Sequence, residues 1–368
     1  MSKKIAIIGA GNGGMAMAAH LALKGHEVNL YNRTPDKLIP IREQGGIFLE
    51  GSVEGFGRLN KVTPDIAEAI DDVNVIMVTV PAVGHRDVAR SCAPYLRDGQ
   101  IIVLNPGRTG GALEFSQALY EFGARAEVII AEASTFIYAC RKAGPCTAHI
   151  FDVKKKVFVA ALPSIKTGYV LDALYDVYPE FIAAESVLET SLNNIGAIFH
   201  PAPTLLNAAR IETTGGAFEY YRDGISPSVA QIIQRMDDER IAVARALNVR
   251  CISALEWMKV SYGVEAGDLY SAIQQNEAYK GITAPAVANS RYIFEDVPCS
   301  LVPLSALGRL AGVATPTIDS IINLASVMTG TDYRAEGRTI SKLGIDDMSM
   351  YEIYNYVYFG DIRRGVVA

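Results

Sequence analysis

The 368-residue chain is 50% hydrophobic and 20% charged, an ordinary globular composition with room for two domains. Its formal net charge of −6 and its lack of a dominant basic stretch exclude nucleic acid as an expected partner, and no apolar run is long enough to predict a membrane span. The 5 cysteines (Cys92, Cys140, Cys146, Cys251 and Cys299) are odd in number and show no CxxC spacing, so reduced thiols in a cytoplasmic protein, without a metal site, are expected.

The chain starts with an apolar run, Ile5–Ile8, that breaks at once into glycines. That pattern reads as a strand entering a tight turn, not as the core of a signal peptide. Short apolar runs then alternate with helical patterns, as in parallel βαβ units. Strands are predicted at Ile5–Ile8, Glu27–Tyr31, Val75–Val80, Ile101–Leu104, Val128–Ala131 and Lys156–Ala161. Helices are predicted at Gly13–Leu23, Asp65–Ile70, Val83–Tyr95 and Leu113–Phe122. Beyond about residue 185 the strand signals fade. Ser186–Phe199, Val229–Leu247, Ile252–Tyr262, Gly267–Asn276 and Ile318–Met328 carry helical spacing. Tyr279–Pro303, rich in Pro, Asn and small residues, reads as an ordered connection. The expected architecture is an α/β Rossmann domain with a doubly wound parallel sheet over residues 1–185, followed by an all-helical domain over 186–368.

Gly9, Gly11, Asn12, Gly13 and Gly14 form a GxGxxG motif between the first strand and a helix of small residues. Gly9 would permit the tight turn, Gly11 would let a pyrophosphate approach the backbone, and Gly14 would let helix and strand pack closely. The helix N-terminus then offers its amides to phosphate. The second strand runs into Asn32, Arg33 and Thr34 rather than an acid. An acid would repel a 2′-phosphate whereas Arg33 could pair with one, so NADP is the preferred cofactor and NAD the secondary one. Pro81 and Ala82, just past a strand end, are expected along the cofactor crevice.

Reduction also needs a proton donor, and histidine suits that task. His20 and His26 read as structural, His85 as a candidate near the cofactor and His149 as a loop residue. His200 closes a predicted helix within Asn193–Pro203, braced by Pro201.

The sequence resembles the opine dehydrogenases (octopine/nopaline dehydrogenase family), above all the N-(1-carboxyethyl)-norvaline dehydrogenase type. The likeness rests on the glycine motif, on Ala139-Cys140-Arg141, on Asn193–Pro201 ending in His-Pro, on Arg291–Pro298 and on Leu301-Val302-Pro303-Leu304. It implies reductive condensation of an amino acid with a 2-oxo acid such as pyruvate through an imine. It further implies His200 as the acid/base, Asp296 as its orienting carboxylate, Arg291 as a contact to the cofactor phosphates, and Thr135 and Arg141 at the substrate. Glu295 stands as a solvent or structural charge beside Asp296. Two departures from the family pattern, at Ser134–Tyr138 and at Cys299-Ser300, leave the amino-acid partner open. Ketopantoate reductases and glycerol-3-phosphate dehydrogenases share the layout but use a catalytic lysine, for which Lys259 and Lys280 are available. A nucleotide-binding protein without turnover is the non-enzyme alternative. A homodimer is compatible with either enzyme reading.

Overall fold

A computed structural model describes residues 2–360. Its principal sheet is built from β1 (Lys4–Ile8), β2 (Glu27–Tyr31), β5 (Lys61–Thr63), β6 (Val75–Val78), β7 (Ile101–Leu104), β8 (Ile129–Ala133), β11 (Val157–Leu162) and β12 (Phe181–Ala183). The strand order is β12-β11-β8-β7-β6-β1-β2-β5, and every pair is parallel except β11 with β8. The central strands are Val/Ile runs buried along their whole length, as expected where helices cover both faces. The order reverses at β1, which puts the first turn at the switch point where such sheets bind ligands.

A second sheet, absent from the predicted strands, has the order β4-β3-β10-β9, from β3 (Gly46–Gly51), β4 (Gly55–Arg58), β9 (Tyr138–Gly144) and β10 (Thr147–Val153). The sequence Tyr-Ala-Cys-Arg-Lys-Ala-Gly of β9 has neither β-branched residues nor alternation, so nothing local marks it as a strand. Its hairpin with β10 is completed by parallel pairing of β10 with the distant β3.

The contacts divide the chain otherwise than by one boundary at residue 185. Among the described residues, contacts group 2–107, Gly111–Thr190 and 342–360 into one unit, and Arg108–Gly110 with Ser191–Ser341 into the other. The helix Met350–Phe359 accounts for the return. Tyr356 donates to Ser116 Oγ at 3.2 Å, and Ser164 Oγ donates to the Val357 carbonyl at 3.1 Å. The first unit is therefore completed by residues beyond the second.

Within the helical unit, the helix expected over Ser186–Phe199 is broken into Val187–Leu192 and Gly196–Phe199. Asn193 accepts from Ile252 N and donates to the Arg250 carbonyl, and Asn194 donates to Ser300 Oγ. Such side-chain bonds compete with helical ones. The long helix Pro227–Ala246 starts where Ser226 caps Val229 N and Pro227 fills the first turn. Tyr279–Pro303 is not a plain connection. The helix Arg291–Phe294 passes through a π-helical turn, Val297–Leu301, into the helix Val302–Leu310. Pro298 and Pro303 lie in the first turns of their elements, where a missing N–H costs nothing. No helix of the described residues is long and apolar enough to cross a membrane.

Candidate active site

The glycine loop joins β1 to α1 (Asn12–Leu23), and each glycine answers a different constraint. Gly9 has φ of +117°, a left-handed conformation that a side chain would strain, and a Cβ there would meet Val80 Cγ1 at 3.0 Å. At Gly14 a Cβ would stand 1.7 Å from the Gly9 carbonyl oxygen, and at Gly13 2.5 Å from the Phe136 ring. Gly11 differs: a Cβ would meet nothing within 4 Å. Its absent side chain is not required by the protein's own packing and leaves the approach to the helix open. Gly11 caps α1 with no side-chain bond, and the first turn holds no acid, so the N-terminal amides and dipole are free of a competing anion. These features fit a dinucleotide pyrophosphate. Thr79 Oγ1 donates toward the carbonyls of Ile8 and Gly9, and Asn12 Oδ1 accepts from Lys142 N, tying the loop to β6 and β9.

At the end of β2, Asn32 is turned inward. Its Oδ1 accepts from Ala10 N at 3.2 Å and its Nδ2 donates to the Thr34 carbonyl at 3.1 Å. Asn32 thus braces the glycine loop and leaves Arg33 and Thr34 exposed. The Arg33 guanidinium is 83% exposed, its ion-pair partner being Asp87 at 3.6 Å. Pro81 is exposed past the end of β6, whereas Ala82 is buried.

In the helical unit, three segments far apart in sequence meet. His200 Nδ1 and Asp296 Oδ2 stand 2.8 Å apart, with Asp296 buried and the imidazole 19% exposed. The other oxygen, Asp296 Oδ1, faces Arg108 Nη1 at 3.1 Å. Burial pushes the Asp296 carboxyl upward, but the Arg108 cation, helped by His200, holds it below the usual carboxylate range. The imidazole stacks on Tyr292, with centroids 4.2 Å apart and planes at 17°. The His200 carbonyl accepts from Tyr220 Oη and Thr204 Oγ1, so backbone and ring are both fixed. Gly196 makes room: a Cβ there would lie 2.9 Å from Arg108 Nη1 and 3.2 Å from His200 Cε1.

Of the two readings for Glu295, solvent or structural charge, the structural one fits. Glu295 is buried, pairs with Arg108 Nε at 3.6 Å and receives Arg291 Nε and Nη2 at 2.6 and 2.5 Å. The Arg291 guanidinium, expected at cofactor phosphates, grips Glu295 here. Arg108 was missed. The signal available was its place at the carboxyl end of a sheet strand, in Pro106-Gly107-Arg108-Thr109-Gly110.

The remaining candidates have partners of their own. Thr135 Oγ1 accepts from Lys154 Nζ at 2.6 Å, and burial pulls the Lys154 ammonium down to about 8. Arg141 lies exposed on β9, opposite His149 on β10, so His149 belongs to a strand, not a loop. His85 is wholly buried, and His20 bonds Tyr138, with burial lowering it to about 4. Lys259 and Lys280 are exposed, Lys259 paired with Glu265.

Residues 183–329 match the model of the NAD/NADP octopine/nopaline dehydrogenase alpha-helical domain, and residues 4–109 match that of the NAD-dependent glycerol-3-phosphate dehydrogenase N-terminus. An opine dehydrogenase from Arthrobacter sp. (strain 1C) is 45% identical over 95% of this chain and 97% of its own. The chain belongs to the opine dehydrogenase family. It is an NAD(P)-dependent oxidoreductase, and the lysine-dependent alternatives and the non-enzyme reading fall away with that assignment. An octopine dehydrogenase solved with NADH and L-arginine superposes with a TM-score of 0.80 at 23% identity, covering 96% of this chain and 98% of that one. A yersinopine dehydrogenase with NADP+ bound gives 0.74 at 17% identity, with 96% and 98% coverage. These two likenesses speak for the fold.

Proposed function

We propose that this opine dehydrogenase condenses an amino acid with pyruvate or a similar 2-oxo acid, with NADPH preferred over NADH and His200 as the acid/base. The observation that carries the reading is the 2.8 Å pairing of His200 Nδ1 with buried Asp296. With Nδ1 committed to the carboxylate, Nε2 is the nitrogen left to exchange a proton with substrate. The amine adds to the oxo carbon, and the imidazolium gives its Nε2 proton to the hydroxyl that departs as water, leaving the protonated imine and a neutral ring. Asp296 stabilises the imidazolium that gives up this proton. The bound nicotinamide cofactor supplies the hydride that reduces the imine carbon. The open approach at Gly11 and the N-terminus of α1 would hold its pyrophosphate, and exposed Arg33 and Thr34 would meet a 2′-phosphate.

The test is NADPH and NADH oxidation with pyruvate and related oxo acids against the common amino acids. Turnover is expected only when both an amine and an oxo acid are present. Rapid turnover of a lone oxo acid would overturn the reading.

A further inference from the structure

Asp296 has two oxygens, and they serve different partners. Oδ2 holds the imidazole at 2.8 Å, while Oδ1 is buried without a donor in hydrogen-bonding geometry and has the Arg108 guanidinium 3.1 Å away. We propose that Arg108 is the positioning residue of the acid–base pair: its guanidinium clamps the rear oxygen of Asp296, keeps that carboxylate charged and so holds the front oxygen on His200. The inference rests on the acid–base reading above and deepens it.

The chain goes to some length to put a cation there. Arg108 has φ of +62°, a left-handed conformation that is strained for a residue with a side chain. The loop holding it is fixed at several points. Thr109 N donates to the Cys299 carbonyl at 3.2 Å, Gly110 N donates to Ser191 Oγ at 2.9 Å, and buried Arg338 donates to the Thr109 carbonyl at 2.9 Å. Three residues leave the sheet-bearing unit to be counted with the helical one. Glu295 steadies the guanidinium from the Nε side, and because Arg291 neutralises Glu295, Arg108 keeps its charge for Asp296. The guanidinium and the imidazole also share the bare face of Gly196.

The electrostatics give the role a measurable sign. The charged and titratable groups around Asp296 are Arg108 from the loop after β7, His200 at the end of Gly196–Phe199, Arg291 and Glu295 from its own segment, and Tyr220 beneath the His200 carbonyl. Arg338 and Cys299 act on Arg108 from behind. Burial alone drives the carboxyl toward the neutral form. Without Arg108, only His200 and Arg291 oppose it, so Asp296 takes up a proton at higher pH. A neutral Asp296 cannot stabilise imidazolium, and activity then fails on the acid side.

The experiment is the pH profile of kcat/KM for the full chain with NADPH, pyruvate and the most active amino acid. Arg108→Gln, Arg108→Lys, His200→Ala and Asp296→Asn are compared with the parent. An arginine beside an aspartate typically lowers its pKa by about 1–3 units. Arg108→Gln should therefore move the acid limb alkaline by about one unit or more, with activity recovering toward high pH. The KM values should stay within about threefold, since the residue acts through Asp296 and not on substrate. Arg108→Lys should rescue part of the shift. If only the lysine variant folds, its limb should still lie measurably alkaline of the parent, because one ammonium cannot reproduce the fork. An equal loss at every pH would make Arg108 merely structural. An unmoved limb with a tenfold rise in the pyruvate KM would make it a substrate contact. Either result overturns the proposal. If His200→Ala and Asp296→Asn keep parental rates, the acid–base reading itself fails; if both lose activity while the Arg108→Gln limb stays in place, only the role of Arg108 fails.

Discussion

The glycine loop and the charged cluster of the helical unit reach a fixed geometry by opposite means. The loop works by subtraction: Gly9, Gly13 and Gly14 have no side chains because Val80, Phe136 and the Gly9 carbonyl fill the space, and Gly11 has none although its space is open. The cluster works by addition, converging Arg108, His200, Glu295, Asp296 and Arg291 from segments nearly two hundred residues apart. A site made of backbone is set by one short run of sequence. A site made of side chains depends on the whole helical unit being folded, and each member is positioned by another.

That contrast predicts where damage spreads. The largest effect is expected in the cluster. His200→Ala should lower kcat by about 10²–10⁴-fold with cofactor affinity largely kept. Asp296→Asn should be severely impaired as well, since an amide can hydrogen-bond but cannot stabilise imidazolium. The double variant should lose little more than the worse single one, because the pair acts as a unit. Single-turnover hydride transfer measures all three, and additive losses would break the picture of one coupled device.

In the loop, damage should follow the space around each Cβ. Gly14→Ala is expected to abolish cofactor binding and lower Tm, since its Cβ would stand 1.7 Å from the Gly9 carbonyl. Gly11→Ala, with nothing within 4 Å, should leave Tm unchanged and still weaken NADPH binding, because the methyl group fills only the approach to α1. Calorimetric titration alongside thermal melting separates the two. Intact binding in Gly11→Ala would show that the pyrophosphate does not use this approach. Gly196→Ala is a smaller perturbation, its Cβ lying 2.9 Å from Arg108 Nη1 and 3.2 Å from His200 Cε1. It should reduce kcat with cofactor affinity unchanged, and an unaltered kcat would mean that both side chains relax freely. The smallest effect belongs to Arg33→Ala. At 83% exposure the guanidinium is strongly screened, so NADPH affinity should fall only about three- to tenfold, less at high salt, with NADH unaffected. Equal losses for both cofactors would remove Arg33 from any role in reading the 2′-phosphate.

The same contrast governs what can be read from the chain. The glycine motif and the central strands are legible because backbone sterics and buried Val/Ile runs leave local marks. His200 and Asp296 stand 96 residues apart, and only their flanking motifs, met together in a family resemblance, join them. Arg108 carries only the weak mark of its place past the end of β7, and nothing local shows that Glu295 is buried against it, since the two meet from segments far apart. The second sheet escaped because β9 is composed of small and charged residues and pairs through β10 with a distant strand. The Tyr279–Pro303 stretch was misread because its prolines, which suggest breaks, occupy helix starts where they are tolerated.

The helix Met350–Phe359 also bears on the order in which the molecule can be made. A ribosome delivers the chain from its N-terminus, so the helical unit can finish folding while the sheet-bearing unit still lacks the element that supplies Tyr356 and Val357. The two units are nested and not strung in series. The nascent sheet must wait, with the surface around Ser116 and Ser164 uncovered, until the helix Met350–Phe359 is in place.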